Sequence, residues 1–524
     1  MATTQTLDER PQGEVAKKRG PAELFERFIE LDFTAPFPFI FLAIVYLGSR
    51  LYWLDLGYGT DPDAWRVALT ADYLWATGDY FPSRLPGYPL HEFATAAVIK
   101  GFWIIDGGWV LTNLSTLLIS LVGVYLFAWI ARKLSLPHAG VITLAFAFAP
   151  LLWINSVMTI DYMWALTFVL AAYLALIYRS PTAAALLLGL AAGFRLTSLF
   201  MLPAFYMLLW RTEDRHQLRT FTFTVIAVTL VAYTPVFMKY GLTFLNFYDQ
   251  SVELEEFIKR LGKDGLGIIG GVALLVAGVL SIGRLRYYPR DLLRAPHVLF
   301  WTIAIAVFFL SYTRLPHEIG YLIPLFPFGL FLMSRYFNRY LLVGVVAVIV
   351  LSGFVDITSP HDTIGLDAKT FTSARLGQGM LLSDIDTLRN QMDFAEELRD
   401  LTVTNPNIER PAVVVSGFIF PELVMLHRDE LDVEILEEDL EAISQLSDKG
   451  VAIDSELAIE YVWLLEFDEF QRFLDERKTI YYTADAARST FAVYGYRPGY
   501  YGALELPLSR ENPSLGGGTA AIDR

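Results

Sequence analysis

The chain breaks its apolar character at Asp61-Pro62-Asp63-Ala64-Trp65-Arg66 and resumes it only after Ser83-Arg84-Leu85-Pro86-Gly87-Tyr88-Pro89-Leu90-His91-Glu92-Phe93. This first long polar stretch comes directly after a hydrophobic run, at residues 36–56, that is long enough to cross a bilayer. Its carboxylates, guanidinium groups and imidazole are therefore expected at a membrane surface. We predict that the stretch is the functional loop of the molecule, within an outer loop that spans residues 57–108.

Composition indicates a polytopic α-helical membrane protein. Of the 524 residues, 54% are hydrophobic and only 19% are charged, which is more apolar than an average soluble domain. The chain has no cysteine, and this excludes disulfides, a thiolate nucleophile, iron–sulfur clusters and cysteine-bound zinc. Its seven histidines are scattered and form no metal-binding motif, so no metal site is expected.

Charge divides the chain into two parts. Residues 359–524 carry 31 acidic and 14 basic side chains, a net charge of −17, whereas the whole chain carries −15. The first 358 residues are therefore close to neutral, at +2. A membrane domain at residues 36–357 and a soluble domain at residues 358–511 follow from this contrast. The glycine-rich tail at residues 512–524 is expected to be disordered.

Eleven apolar runs of membrane-spanning character are delimited by proline, glycine and charged residues. They lie at about residues 36–56, 109–131, 138–157, 161–178, 183–194, 196–210, 219–239, 266–282, 297–313, 319–334 and 339–357. Lysine and arginine collect at alternate ends of these runs, and the acidic residues collect at the other ends. By the positive-inside rule, the N-terminal tail at residues 1–35 is cytoplasmic and residues 358–524 lie outside. This count requires residues 91–105 to lie along the outer surface.

An arginine interrupts the apolar stretch at residues 183–210. Gly193-Phe194-Arg195 indicates two half-length passes that place Arg195 at the outer rim. The alternative is one continuous helix from which Arg195 snorkels to the surface. Because an arginine at membrane depth is costly, we expect it to have a functional partner such as a lipid phosphate.

Two further segments have recognisable patterns. Residues 250–262 place Leu254, Phe257, Ile258 and Leu261 on one face, as an interfacial amphipathic helix does. The C-terminal part has strand-like runs separated by helical stretches, which predicts a small α/β domain with a parallel sheet. The runs begin at Ala412, Val433, Gly450 and Thr479. A helix at about 383–401, with Ser383 as its N-cap, is predicted to link this domain to the membrane.

The order of elements around the polar loop resembles a known enzyme family. An aspartate after the first membrane helix, a helical segment, Gly78-Asp79-Tyr80, Arg84 and a proline-rich turn look like the first outer loop of GT-C glycosyltransferases. The similarity is greatest to members that use polyprenyl-phosphate sugars, such as protein O-mannosyltransferases and lipid A aminoarabinose transferases. It covers roughly residues 36–357 and implies a GT-C-like fold with an extracytoplasmic C-terminal domain.

The resemblance implies roles for particular residues. By register, Asp63 is the general base that deprotonates an acceptor hydroxyl, and the hydroxyl then attacks and inverts the sugar C1. The family often has a glutamate after this aspartate, whereas Ala64 stands here and Asp61 precedes, so Asp61 is the base or orients Asp63. Further candidates are Asp161 for catalysis, Arg84, Arg195 and Arg314 for the donor phosphate, and His91, Glu92, His317, Glu318 and Tyr321 for substrate.

The implied partners are a polyprenyl-phosphate-linked sugar donor, a lipid, glycan or protein acceptor, and membrane lipids, without nucleic acid. No cofactor is expected. In a metal-dependent alternative with a lipid-pyrophosphate donor, Asp61, Asp63 and Asp161 hold Mg²⁺ or Mn²⁺.

Other interpretations remain open. Asp161 could only cap the helix that follows it, and Arg314, His317 and Glu318 could form an outer salt-bridge cluster. The chain could also be a flippase or transporter of lipid-linked sugars, although it shows no internal repeat. A membrane anchor for the outer domain is another possibility, but an anchor needs no carboxylate-rich first loop.

Overall fold

The computed structural model describes most of residues 29–505. It leaves out residues 102–107, 213–214, 243–256, 258–259, 315–317, 359–373, 405–407, 436–449, 464–472, 474 and 483–503. Four of the sequence predictions fall wholly or largely outside the described residues. They are the N-terminal tail, the interfacial helix at 250–262, the role of His317 and the disordered tail.

The membrane part is built from apolar helices, several of which begin with proline. Proline suits the first helical turn because its φ is already helical and its missing N–H needs no partner there. The helices are α1 Pro36–Gly48, α2 Pro62–Thr77, α3 Pro89–Gly101, α4 Gly108–Lys133, α5 Ala139–Phe148, α6 Pro150–Asn155, α7 Tyr162–Ile177, α8 Pro181–Phe194, α9 Leu202–Thr212, α10 Arg215–Tyr240, α11 Ile268–Leu280, α12 Ile282–Leu285, α13 Tyr288–Arg294, α14 Pro296–Tyr312, α15 Leu325–Tyr336 and α16 Arg339–Ser352.

All eleven predicted apolar runs coincide with helices or helix pairs. Within the described residues, four helical segments are long and apolar enough to cross a membrane: Pro36–Asp55, Gly108–Lys133, Gln217–Tyr240 and Ile319–Tyr336. A fifth candidate is the pair Ile268–Leu280 and Ile282–Arg294, whose parts are bent by 60°. The remaining runs correspond to apolar helices of 10–17 residues, which are shorter than a full bilayer crossing.

The predicted break at Gly193–Arg195 is confirmed. Helix α8 ends at Phe194, Arg195 has an extended backbone with φ −154° and ψ 113°, and a 3-10 turn at Leu196–Met201 leads into α9. The alternative of one continuous helix is therefore wrong. Arg195 does not lie at an open rim either, because its side chain is buried.

The C-terminal part contains helix α17 Met380–Thr404, helix α18 Phe420–Leu426 and a six-stranded sheet. The strands of this sheet are β3 Ala412–Val415, β4 Asp432–Ile435, β5 Gly450–Asp454, β6 Ile459–Val462, β7 Thr479–Tyr482 and β8 Leu504–Glu505. Their order across the sheet is β4-β5-β6-β3-β7-β8. A separate hairpin, β1 Val355–Thr358 with β2 Arg375–Gln378, joins the membrane part to α17.

The prediction of a parallel sheet is wrong for two of the five strand pairings in the described sheet. Strand β3 pairs in parallel with β6 and β7, but β4, β5 and β6 are antiparallel. Only residues 455–458 separate β5 from β6, which is too short for the crossover that parallel strands need. The linking helix also begins earlier than predicted, at Met380, so Ser383 lies inside its first turn and is not the N-cap.

The apolar interior forms two clusters, and the second joins distant parts of the chain. The first lies among the membrane helices. The second combines Trp65 of α2 and Phe81 of the polar loop with Leu423 of α18 and Tyr461 of β6. The loop after the first membrane helix and the C-terminal domain therefore share one core.

Candidate functional site

Helix α2 positions the two aspartates of the polar loop. Asp61 is its N-cap, Pro62 begins the helix, and the Asp61 carboxylate accepts a hydrogen bond of 3.0 Å from the backbone N–H of Asp63. The helix ends at Gly78, whose φ of 75° suits the left-handed turn that commonly closes a helix. This geometry directs the Asp61 and Asp63 carboxylates to different partners.

Asp63 and Asp161 are linked through Arg84. The Arg84 Nε lies 2.8 Å from Asp63 Oδ2, and its Nη2 lies 3.0 Å from Asp161 Oδ1. Arg66 adds a contact of 3.1 Å to Asp63 Oδ1, and Arg195 adds one of 2.8 Å to Asp161 Oδ2. We call these five residues the charge cluster. It contains three guanidinium groups and two carboxylates, which is an excess of one positive charge.

Aromatic rings enclose the charge cluster. The guanidinium of Arg84 lies 4.0 Å from the centre of the Tyr88 ring, and that of Arg195 lies 3.8 Å from the centre of Tyr162. Both arginines are only 6% exposed, and Asp161 is fully buried. Buried ions of this kind are retained only where other charges and hydrogen bonds compensate for the lost water.

Asp161 stands at the N-cap position of α7 without capping it. Its side chain accepts no hydrogen bond from the helix and instead binds the two arginines. The capping interpretation from the sequence is therefore wrong. Because Arg195 follows the end of α8, the Asp161 contact joins the start of one helix to the end of the next.

A polar cavity of about 490 Å³ opens beside α2. It is lined by Asp61, Tyr162 and Glu318, by Lys263 and Asp264 of a π-helical turn at Leu261–Leu266, by Asp356 of β1 and by Asp384 of α17. Neither Asp63 nor the arginines of the charge cluster line it. Five carboxylates and one ammonium group make its lining strongly acidic.

Two of the lining carboxylates retain protons more readily than usual. Burial, together with the nearby Asp63 and Glu318, raises the pKa of Asp61 to about 7. Burial raises the pKa of Asp384 to about 6. Asp384 also accepts a hydrogen bond of 2.6 Å from Thr60 Oγ1, which fixes the residue before Asp61. Asp384 was not predicted from the sequence, because this residue lies on a polar helix far along the chain and belongs to no motif.

The structure places the predicted substrate residues in different surroundings. Glu318 lines the cavity and accepts a hydrogen bond of 3.0 Å from Tyr162, whereas Tyr321 lies 5.1 Å from the Arg195 guanidinium. His91 and Glu92 are buried and do not line the cavity. Arg314 is exposed and follows the end of α14.

Glu92 anchors the polar loop from within. Its carboxylate accepts hydrogen bonds from the Ser83 N–H at 2.7 Å, from the Ser83 hydroxyl at 2.6 Å, from the Tyr88 N–H at 3.3 Å and from the Tyr80 hydroxyl. These bonds occupy both of its oxygens and close the turn that carries Arg84. The side chain thus holds the arginine in place instead of facing a ligand.

An apolar cavity of about 590 Å³ adjoins the polar one. Its walls come from α11, α14, α15 and α16 and include Val272, Phe309, Phe326 and Met333. Lys263 lines both cavities. Lys263 therefore belongs to the wall of both the acidic cavity and the hydrophobic one.

The carboxylates of the polar cavity are not gathered into a compact set. Among the described residues, no three His, Cys, Asp or Glu side chains lie close enough together to hold a metal ion. Asp356 has another role, because it accepts hydrogen bonds of 2.7 and 2.9 Å from the first N–H groups of α11. That the reaction needs no metal stays a prediction for experiment.

Comparison with solved structures identifies the fold. The structure of ArnT from Cupriavidus metallidurans in the apo state aligns with a TM-score of 0.51 and 15% sequence identity, over 87% of this chain and 94% of that one. The structure of the same protein bound to undecaprenyl phosphate aligns with a TM-score of 0.47 and 15% identity, over 78% and 87% of the two chains. No family model matches the sequence, and a search of curated proteins gave no match.

The first of these alignments confirms the predicted fold class. ArnT is a lipid A aminoarabinose transferase with the GT-C fold, and the present chain has a fold of that type. Together with its apolar helices, this makes the chain a polytopic membrane protein with a small sheet-containing domain. At 15% identity, the likeness concerns fold and leaves the reaction to be argued from the site.

Proposed function

We propose that this chain is a membrane glycosyltransferase that moves a sugar from a polyprenyl-phosphate donor to an acceptor hydroxyl. The observation that carries the proposal is the pair of adjoining cavities that share Lys263. A lipid-linked sugar has an apolar tail, a phosphate and a polar sugar in that order. The structure offers complementary surroundings in the same order. The apolar cavity suits the tail, Lys263 suits the phosphate, and the polar cavity suits the sugar.

Lys263 is the proposed contact for the donor phosphate. The sequence favoured Arg84, Arg195 and Arg314 for this role, but the first two bind aspartates in the charge cluster and none of the three lines either cavity. An ammonium group is a compact cation that binds phosphate oxygens well. Arg84 and Arg195 then serve to hold Asp161 and Asp63 in place.

Asp61 is the proposed general base, with Asp63 as a positioning residue. A base must reach the proton that it removes, and Asp61 lines the polar cavity whereas Asp63 is held by Arg66 and Arg84. The Asp61 carboxylate takes the acceptor hydroxyl proton as the oxygen bonds to the sugar C1. The bond from C1 to the phosphate oxygen breaks, and its electron pair leaves with the lipid phosphate. Attack from the opposite side inverts C1.

The acidic lining also supports a second candidate, a metal-dependent transferase that uses a lipid pyrophosphate. Asp61, Glu318 and Asp384 carry hard oxygen atoms of the kind that Mg²⁺ and Mn²⁺ prefer, although no three carboxylates of the described residues lie close enough together to hold an ion. A monophosphate leaving group carries less charge, so one ammonium group suffices for it, whereas a pyrophosphate usually requires a divalent cation.

One experiment tests the proposal and separates the two candidates. The purified protein in lipid nanodiscs is supplied with a polyprenyl-monophosphate sugar and a soluble hydroxyl acceptor, with and without excess EDTA. We expect transfer in both conditions, and an increased KM for the donor in the Lys263→Gln variant. Lys133→Gln serves as the matched control, because it removes a lysine charge at the C-terminal end of α4 from a residue that lines neither cavity. Loss of turnover in EDTA and its recovery with Mn²⁺ would favour the metal-dependent candidate.

A further inference from the structure

A third cavity lies at the other end of the membrane helices. Helix α11 begins beside Lys263 of the polar cavity and ends beside Arg284, and α16 runs back from Arg339 to Asp356 of the polar cavity. Between these far ends is a cavity of about 510 Å³. It is separated from the proposed transfer site by the length of a helix, so its role does not depend on that of the transfer site.

Arginines dominate this third cavity, which we call the basic pocket. Its lining includes Arg284, Arg290, Arg294 and Arg335, with Asp291 as its one carboxylate and with two tyrosines. Four guanidinium groups against one carboxylate give the lining a charge of +3. A concave surface with this charge attracts an anion.

The arginines are held to different degrees. Arg335 is paired with Asp291 at 2.8 Å, and Arg284 donates to the Phe337 carbonyl at 3.0 Å. Arg290 and Arg294 are exposed, and neither makes an ion pair with a residue in the described part of the chain. Two fixed arginines thus form the wall, and two others remain available for a ligand.

The surroundings of the basic pocket indicate a membrane lipid. The segment Ile282–Arg294 turns by 60° from α11, as a helix does when it leaves the bilayer core to lie along its surface. Ile282 is 62% exposed and Leu293 is 73% exposed, so apolar side chains lie next to the arginines. This pairing of apolar and basic side chains is typical of interfacial segments that bind anionic lipids.

We propose that the basic pocket binds the phosphate-bearing headgroup of an anionic membrane lipid. The headgroup phosphate lies between Arg290 and Arg294, and the acyl chains lie against the apolar residues of the same segment. Basic pockets between membrane helices are known to accept anionic headgroups. The positive-inside tendency alone would place arginines at this end of the helices, but it does not require them to line one cavity.

Native mass spectrometry of the full chain in mixed micelles tests the proposal, with phosphatidylglycerol as the probe and phosphatidylcholine as the neutral lipid. The wild type should retain phosphatidylglycerol selectively. The double variant Arg290→Gln/Arg294→Gln should bind it about 30-fold more weakly, at roughly the contribution of two basic residues near a membrane surface. Arg132→Gln/Lys133→Gln removes two charges at the same end of the helices but outside the pocket, and it should bind like the wild type.

Two further measurements use a variant that keeps both charges and a competing free anion. Arg290→Lys/Arg294→Lys should restore most of the binding, which separates loss of charge from loss of fold. Equal retention by the two glutamine double variants would overturn the proposal. Displacement of the lipid by millimolar inorganic phosphate would show a site for free anions and would also overturn it.

Discussion

The Nη1 of Arg195 lies 2.8 Å from Oδ2 of Asp161, so the end of one membrane helix is joined by a buried ion pair to the start of another. The same carboxylate binds Arg84 of the polar loop through its other oxygen. Asp161 therefore ties the loop to both helices. This explains why charges that are costly at such depth are retained.

Asp161→Asn should strongly destabilise the protein. The change leaves Arg195 buried with a neutral partner and leaves Arg84 with Asp63 as its one remaining carboxylate in the charge cluster. Removing one member of a buried ion pair typically costs about 3–5 kcal/mol. Thermal unfolding of the purified protein measures the effect. Asp79→Asn removes one member of an exposed pair with Lys239 and should change the stability little. Similar unfolding temperatures for both variants would show that the charge cluster does not hold the loop.

Asp61→Asn should abolish transfer without loss of fold. Asparagine caps a helix as well as aspartate does, so α2 should still begin correctly. Loss of a general base lowers the rate by about 100- to 10,000-fold. Turnover and thermal unfolding are measured on the same preparation.

Asp63→Asn provides the comparison, because it breaks contacts to Arg66 and Arg84 and should lower the stability as well as the activity. If Asp61→Asn retains activity and Asp63→Asn is stable but inactive, the general base is Asp63, as the family resemblance implies.

The rate of transfer should rise with pH through neutrality. The pKa of Asp61 is raised to about 7, and a general base acts only in its deprotonated form. The kcat/KM should therefore increase up to about pH 7 and level off above it. Residual activity of Asp61→Asn should lack this step. A wild-type profile that is flat from pH 5.5 to about 8.5, a range that spans the expected step, would contradict the assignment.

The wild type should lose stability as the pH rises, and the Glu422→Gln variant should not show this loss. Glu422 of α18 is fully buried with neither carboxylate oxygen hydrogen-bonded, and burial raises its pKa to about 8. A raised pKa means that the folded state holds the proton more tightly than the unfolded state does. The stability from this group is thus fully present below the ordinary pKa of a glutamate, and it is lost as the pH rises from there to about 8.

Unfolding of wild type and Glu422→Gln at about pH 5 and about pH 9, which together span most of the range between the two pKa values, measures the difference. Glu430→Gln, at an exposed position in the same domain, is the control. A wild-type loss between the two pH values that persists in Glu422→Gln would contradict this account.

The N-terminus should be cytoplasmic and the C-terminal domain extracytoplasmic. The basic pocket and the polar cavity lie at opposite ends of α11 and α16, so lysine and arginine mark one side of the membrane and carboxylates the other. A reporter active only in the cytoplasm, fused after Arg524, should give no signal, whereas the same reporter at the N-terminus should be active. The reverse pattern would invert the topology.

The apolar runs and the Gly193–Arg195 break were predictable because both are local. Hydrophobic length, proline position and a single arginine within an apolar stretch were enough to locate them. The roles of Asp61 and Asp63 were harder to predict from the sequence. Whether a carboxylate faces a cavity or an arginine depends on how α2 is rotated, and that rotation is set by residues hundreds of positions away.

Lys263 and Asp384 lay beyond sequence reasoning for the same reason. Each is an ordinary charged residue on a polar turn or helix, and only tertiary packing brings it to the cavity. The sheet was partly mispredicted because Glu460 interrupts the apolar pattern of β6 and because β8 has only two residues. Antiparallel pairing of β5 with β6 follows from a short connection that could be recognised only once β6 was known.

The core shared by the polar loop and the C-terminal domain bears on how the protein is made. Thr60 meets Asp384 across 324 positions of sequence, and the Arg66 guanidinium lies 4.0 Å from the ring centre of Trp463. During synthesis, the loop leaves the ribosome long before either partner exists. It must therefore wait, incompletely packed, until both partners have been translated. A molecule stalled in biogenesis before that point would carry its membrane helices while the loop still lacked its contacts to Asp384 and Trp463.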